Sequence, residues 1–251
     1  MLLSDPVFFA FAIPAVVFAG VSKGGFGSGA AFASATILAL ILDPGQALAL
    51  MLPLLMVIDL ASLRPYWKKW RKAEAGLLLA GGVPGVLLGA LLYRAVDADA
   101  IRVLIGAVAL AFVGWHLWQR VRPGPIAKTA LGSGAGVAFG VGVGFASFVS
   151  HAGGPPAAVF LLSRNPGKTE YQATTVLVFW LLNIVKFVPY AYLGFFSLDM
   201  AAAGLVLAPF ALLGTWIGVR AHRAISERLF FGLTYVLLLT TGTKLIWDGL
   251  S

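Results

Sequence analysis

The sequence lacks cysteine and has few charged residues. Its 251 residues include three histidines, and 11% of them are charged. The absence of cysteine excludes disulfides, iron–sulfur clusters and thiolate zinc sites, and the isolated histidines have no metal-ligand spacing. We therefore expect no metal and no cofactor. A soluble domain carries about 25% charged residues, so this composition also excludes a water-soluble fold.

Hydrophobic residues make up 60% of the chain, and the mean hydropathy is +0.93. The 30 glycines and 13 prolines lie within long apolar runs, which membrane helices tolerate. The net charge of +8 comes from lysines and arginines concentrated in short loops, a pattern that reports membrane topology rather than nucleic-acid binding. The composition predicts an all-α polytopic membrane protein that contacts the lipid bilayer and binds no nucleic acid.

The apolar runs predict about eight transmembrane helices, because each span needs about 20 mostly apolar residues. The predicted spans are 6–22, 46–63, 74–93, 101–119, 128–149, 169–187, 198–219 and 228–247. Two shorter apolar stretches follow Gly24-Gly25 and Gly153-Gly154. The second covers 155–163, which reaches about 14 Å as a helix and is too short to cross the bilayer. We expect these stretches to be broken or re-entrant half-helices.

The chain shows an internal repeat. The segment 59–66 aligns with 183–190, and 84–89 aligns with 209–214 at nearly the same offset. We predict two halves, 1–122 and 126–251, each with a hairpin at its Gly-Gly break and three further spans. The alternative is a chance match of proline and glycine punctuation in an apolar chain.

The loop charges predict the orientation of the two halves. The loop 64–72 is the most basic, and basic loops favour the cytoplasm. Placing it inside puts both termini on the non-cytoplasmic side and gives the halves opposite orientations. Inverted repeats are typical of secondary transporters, whose substrate sites lie at broken helices near mid-membrane. We therefore expect a multi-pass protein of the cell inner membrane.

The two breaks are the predicted substrate site. A half-helix that starts inside the membrane presents free N–H groups and partial positive charge, which attract anions. We expect N–H groups of 25–27 and 153–157 to hold a small anion, with charge from nearby lysines. The candidate substrate-binding residues are Lys23, Gly24, Gly25, Phe26, Gly27, His151, Gly153, Gly154, Pro155, Asn183 and Lys186.

Each ionisable residue in this set also has a structural interpretation. Lys23 and Lys186 either face the substrate, snorkel to an interface or pair with Asp59. His151 either hydrogen-bonds backbone at the break, contacts the anion or relays a proton. Asp59 is either a proton-coupling group or half of a structural salt bridge.

Other function classes have less support. An intramembrane hydrolase needs a nucleophile, a base and an oxyanion hole, but Ser150 and His151 are sequence neighbours and the sequence has no Gly-x-Ser-x-Gly motif. We therefore predict that the protein is not an enzyme. An anion channel and a carrier of carboxylate anions stay open as alternatives.

Three segments of the second half form a recognisable set: SHAGGPP at 150–156, NIVKFVPYAYLG at 183–194 and PFALLG at 209–214. With these segments, and over nearly its whole length, the chain resembles the TauE/SafE sulfite exporter family of membrane permeases. The first half has KGGFGSG at 23–29, which departs from the family's longer glycine run. The resemblance implies about eight spans and outward movement of sulfite, sulfonates or related sulfur-containing organic anions, driven by the proton gradient.

Together, the residues and the resemblance predict an alternating-access carrier. Its expected partners are a small anionic substrate, protons and lipid, with Asp59 or His151 carrying the coupled proton. The sequence leaves open whether the protein works as a monomer or as a homo-oligomer.

Overall fold

The computed structural model describes residues 2–26, 31–121, 130–221 and 227–251. Within those ranges the chain is helical and contains no strand. The helices are α1 (Pro6–Val21), α2 (Ala33–Leu38), α3 (Pro44–Leu63), α4 (Lys72–Ala95), α5 (Ala98–Val121), α6 (Ser133–Ser150), α7 (Gly154–Ser163), α8 (Lys168–Tyr192), α9 (Leu198–Ala221) and α10 (Glu227–Leu250). A π-helical turn, Ser22–Phe26, continues α1.

Seven helical segments of the described chain are long and apolar enough to cross a membrane. They are α1 with its π turn, α3, α4, α5, α6, α8 and α9. They coincide with seven of the predicted spans, and the eighth, 228–247, falls on the 24-residue α10. The predicted fold class, an all-α polytopic membrane protein, is confirmed.

Two of the long helices begin with the same N-terminal cap. Asp5 caps α1 by accepting a hydrogen bond from the Val7 N–H at 2.9 Å, and Asp43 caps α3 in the same way. A proline follows each aspartate, where its missing N–H is no loss and its fixed φ suits the first turn. These short polar sequences therefore set where the apolar spans begin.

Glycine allows two pairs of helices to approach backbone to backbone. A Cβ at Gly81, Gly85 or Gly144 would overlap a carbonyl across the α4–α6 contact, and one at Gly214 or Gly218 would do so across α1–α9. Lipid offers little hydrophobic driving force between helices, so close packing of small residues is a main source of association. The apolar spans are thereby locked into a compact bundle.

The helix pairs follow the predicted repeat. If α1–α5 correspond to α6–α10, the pair α1–α9 corresponds to α4–α6, and α3–α9 corresponds to α4–α8. The remaining large contacts, α5–α10 and α3–α8, each correspond to themselves. This exchange of partners is what a two-fold relation between halves produces, and it supports the halves 1–122 and 126–251 that we propose.

The two short apolar stretches differ. The second forms the 10-residue α7, which confirms the predicted half-helix. The first contains the 6-residue α2, Ala33–Leu38, and the π turn joins the preceding Gly24-Gly25 to α1. This turn packs on α9, where the glycine backbones take part in the helix contact.

A polar cluster joins the starts of α4 and α8 to the end of α7. Glu74 is 4% exposed and forms ion pairs with Arg71 at 3.1 Å and Arg164 at 3.6 Å. The Arg71 guanidinium also donates to the Arg164 carbonyl, and its backbone N–H donates to the Thr174 hydroxyl. These ion pairs and hydrogen bonds hold the C-terminal end of α7 against the starts of α4 and α8.

Candidate functional site

Asp59 joins the two halves at the centre of the bundle. Its side chain, on α3, is fully buried. Lys23 Nζ, from the π turn, lies 2.5 Å from Oδ1, and the Asn183 amide, from α8, donates to Oδ2 at 2.8 Å. Asp59 and Asn183 are the residues that the repeat alignment matches, so α3 and α8 meet at equivalent positions.

A second polar group lies beside this ion pair. Lys186 is fully buried one turn along α8 from Asn183, and its Nζ donates to the Ser147 carbonyl at 3.0 Å. The same nitrogen lies 2.8 Å from Nδ1 of His151. The other ring nitrogen, Nε2, lies 3.1 Å from the Leu48 carbonyl of α3. His151 therefore bridges the lysine of the second half to a helix of the first.

Some of these groups line a small cavity. Its volume is about 10 Å³, space for about one water molecule. The lining residues are Lys23, Ala31, Leu55, Ser147, His151, Phe179 and Asn183. Both halves contribute polar and apolar side chains, and three predicted site residues, Lys23, His151 and Asn183, are brought together here.

The chain reverses sharply at the second break. His151 has a left-handed backbone with φ of 55°, and its N–H donates to the Ser147 carbonyl. α7 then begins at Gly154, with Pro155 in its first turn. A left-handed residue is a common way to end a helix, and here it turns the imidazole toward the cavity.

The predicted set of N–H donors at 153–157 is wrong in part. Pro155 and Pro156 have no N–H, and the Ala157 N–H donates to the Gly153 carbonyl. A Cβ at Gly153 would meet the Val143 carbonyl and the Phe179 ring, so this glycine is needed for packing. The α7 N-terminus has fewer free donors than the sequence suggested.

The two glycines of the first break take part in helix packing. A Cβ at Gly24 would overlap the Thr215 carbonyl, and one at Gly25 would overlap the Gly218 carbonyl. These glycines thus allow α9 to approach the π turn, where we expected a ligand to approach. Phe26 ends the turn, its side chain lies outside the described part, and Gly27 lies outside the described residues altogether.

The site contains two lysines but one carboxylate. Lys23 forms an ion pair with Asp59, which is one of the structural alternatives given above, and this pair is neutral as a whole. Among the described residues no carboxylate forms an ion pair with Lys186 within 4.0 Å, so the alternative pairing of Lys186 with Asp59 is wrong. With both lysines protonated and His151 neutral, the buried cluster has a net charge of one.

Several site groups were not foreseen. The Ser147 and Leu48 carbonyls hold the second polar group, but backbone carbonyls leave no signal in a sequence. Gln172 donates to the Lys23 carbonyl at 2.9 Å, and its sequence signal is an amide inside a predicted span. Phe179 lies 5.8 Å from Lys23 Nζ, a cation–π distance.

The site's chemistry suits an anion more than a metal. No cluster of three or more histidine, aspartate or glutamate side chains arranged for a metal ion occurs in the described part of the chain. The polar side chains at the cavity are instead an ammonium, an amide, an imidazole and a hydroxyl. Such groups bind an anion through charge-assisted hydrogen bonds.

Comparison with known proteins agrees with this architecture. The family model described as Sulfite exporter TauE/SafE matches residues 12–245. Neither a curated protein nor a solved structure matches the chain. The match covers nearly the whole chain, including both breaks and every helix that contributes to the cavity. The chain therefore belongs to the sulfite exporter TauE/SafE family and is a multi-pass membrane protein of a transport family.

Proposed function

We propose that this protein is an alternating-access carrier that moves sulfite or an organosulfonate across the cell inner membrane, with both termini on the non-cytoplasmic side. The family's description names sulfite export, and we extend that substrate class and direction to this chain. The halves act as inverted repeats that move against each other around the cavity.

The observation that carries the proposal is a buried cluster, built from both halves, that contains two lysines and one carboxylate. Lys186 and Lys23 are 0% and 3% exposed, and Asp59 neutralises one of them. Burying an uncompensated charge is expensive, so such a residue usually has a functional partner. A small anion at the cavity supplies the missing negative charge.

The small volume of the cavity favours a carrier over a channel. A channel needs a continuous polar path, whereas this cavity has space for about one water molecule and includes Leu55 and Phe179 in its lining. An anion the size of sulfite fits only after the lining side chains move apart. Movement of the halves is then part of every transport cycle.

Protons are the coupled ions in this proposal. Asp59 and His151 are buried ionisable groups that belong to different halves, and each contacts one lysine. Protonation of either group increases the positive charge around the cavity. The affinity for the anion therefore rises as protons bind.

A thermal-stability panel tests anion binding directly, since a ligand of the folded state raises the melting temperature by mass action. We would measure the purified protein in detergent with sulfite, sulfoacetate, taurine, thiosulfate, sulfate, acetate and chloride. Sulfite or a sulfonate should stabilise the wild type and the Lys244→Met control, in which an exposed lysine on α10 is removed. The Lys186→Met variant should show no shift.

The panel also separates the alternatives. Stabilisation by acetate alone would replace the sulfur anions with carboxylates as the substrate class. An unchanged sulfite shift in Lys186→Met would reject the site, and no shift with any anion would reject the proposed function.

A further inference from the structure

The hydrogen bonds around Lys186 and His151 fix which nitrogens carry protons. The Leu48 carbonyl can only accept, so Nε2 of His151 is the protonated ring nitrogen. The Ser147 carbonyl can also only accept, so Lys186 donates to it. In a neutral imidazole Nδ1 is then the acceptor of a second hydrogen bond from Lys186.

These contacts need two N–H groups from Lys186. An ammonium has three N–H groups, and a neutral amine has two. Loss of one proton from Nζ therefore leaves both hydrogen bonds intact while it removes the net charge of the cluster. The pair formed by Lys186 and His151, which we call the lysine–histidine pair, has two charge states with one set of hydrogen bonds.

The other ionisable groups near the pair have fixed partners. Asp59 contacts Lys23 through Oδ1 and Asn183 through Oδ2, and this ion pair is neutral as a whole. The Tyr190 ring lies 6.0 Å from Lys186 Nζ, and its hydroxyl donates to the Phe148 carbonyl at 2.6 Å. The exchangeable charge is thereby assigned to the lysine–histidine pair.

We propose that the lysine–histidine pair carries one proton together with one monovalent anion, and that both cross the membrane in the same direction. The proposal rests on the proposed carrier function and deepens it. With the proton bound, the cluster has one positive charge and one monovalent anion neutralises it. Without the proton, the cluster is neutral and returns empty.

Several consequences follow from this charge balance. Proton and anion favour each other's binding, because coupling between two sites is reciprocal. The loaded and empty sites have the same net charge, so transport is electroneutral and a divalent anion such as sulfate is a poor substrate. The inward proton gradient then opposes export, in contrast to the expectation from the sequence, and the anion's own outward gradient drives it.

The test uses the full-length protein in liposomes that contain a pH-sensitive dye. Methanesulfonate is the probe, because it stays ionised at neutral pH and any proton that moves with it is carried by the protein. An inward gradient of labelled methanesulfonate should acidify the lumen by one proton for each anion. The flux should be the same with and without a potassium diffusion potential set by valinomycin.

Lys186→Arg separates the two charge states, because arginine does not lose its proton in proteins. This variant should exchange labelled for unlabelled methanesulfonate at every pH but should not acidify the lumen. In the wild type and in Lys244→Met, the apparent affinity should fall about tenfold for each pH unit on the alkaline side, as one-proton linkage requires.

The outcomes are distinct. Methanesulfonate flux with lumen alkalinisation, or flux that follows the membrane potential, would overturn the cotransport proposal and leave the carrier function intact. Absence of flux for methanesulfonate, sulfite and every other anion of the panel would overturn the carrier function and the cotransport proposal with it. If Lys186→Arg does not fold, the proton-to-anion ratio of the wild type still tests the cotransport proposal.

Discussion

The two glycine-rich breaks look alike in sequence but differ in structure. At the first, a π turn continues α1, and Lys23 within it pairs with Asp59. At the second, the chain reverses at His151 and starts α7, and the imidazole contacts Lys186. The first half therefore brings a neutral ion pair to the cavity, and the second half brings the net charge.

The difference concerns single residues within the repeat that we propose. Asp59 and Asn183 occupy matched positions and contact each other, but one is a carboxylate and the other an amide. Similarly, Lys186 matches Ser62 of the first half in the repeat alignment. In the two repeats that we propose, the helix contacts correspond, while the charged side chains differ at single residues.

The largest effect should come from separating the ion pair of the first half. Asp59→Ala leaves Lys23 buried without its counterion, which should lower the free energy of unfolding by about 3–5 kcal/mol. Asn183→Ala removes one hydrogen bond to the same carboxylate and should cost about 2 kcal/mol. Denaturation of both variants in detergent measures the two values. Equal losses would mean that the first-half pair is not the structural anchor.

The next effect concerns the glycines of the first break. Gly25→Ala places a methyl group against the Gly218 carbonyl and should cost about 1–3 kcal/mol through overpacking. Gly142→Ala is the matched control on α6, because its nearest neighbour outside the helix is Pro156 Cβ at 3.7 Å. That change should stabilise the helix by about 0.5–1 kcal/mol. Thermal unfolding of both variants tests the assignment, and a stable Gly25→Ala protein would contradict it.

The smallest effect concerns the backbone of the second break. His151→Asn keeps a residue that tolerates the left-handed conformation, and it should lose about 1 kcal/mol from the missing hydrogen bonds. His151→Val should lose about 1–2 kcal/mol more, because the left-handed region is strained for a β-branched residue. The difference between the two unfolding free energies isolates the strain. Identical values would argue that the backbone at this position relaxes.

Much of the fold was predictable because its signals are local. Runs of apolar residues gave the spans, and the short stretch after Gly153-Gly154 gave the half-helix α7. The π turn was not predictable, since its glycines fit the backbone of α9, which lies about 190 residues away in the chain. Runs of apolar residues and the positions of proline and glycine indicate the structure within a segment, but they do not indicate contacts between distant segments.

The site was predictable as a set of residue types but not as a set of pairs. Lys23, Asp59, His151 and Lys186 were all identified as intramembrane ionisable residues. Which lysine meets the carboxylate depends on where α3, α8 and the π turn cross. The Ser147 and Leu48 carbonyls, which fix the state of the lysine–histidine pair, have no signature in any side chain.

The most direct test of the central claim, an anion site between two halves that open alternately, is cysteine accessibility. The chain contains no cysteine, so a single thiol can be placed in the cavity with Leu55→Cys, and Leu205→Cys, 76% exposed on the outside of the bundle, is the control. A membrane-impermeant anionic thiol reagent should label Leu55→Cys from either side of the membrane, and methanesulfonate should slow labelling from both. Leu205→Cys should not react, because it faces lipid. Labelling of Leu55→Cys from one side alone, or without protection by the anion, would contradict the account.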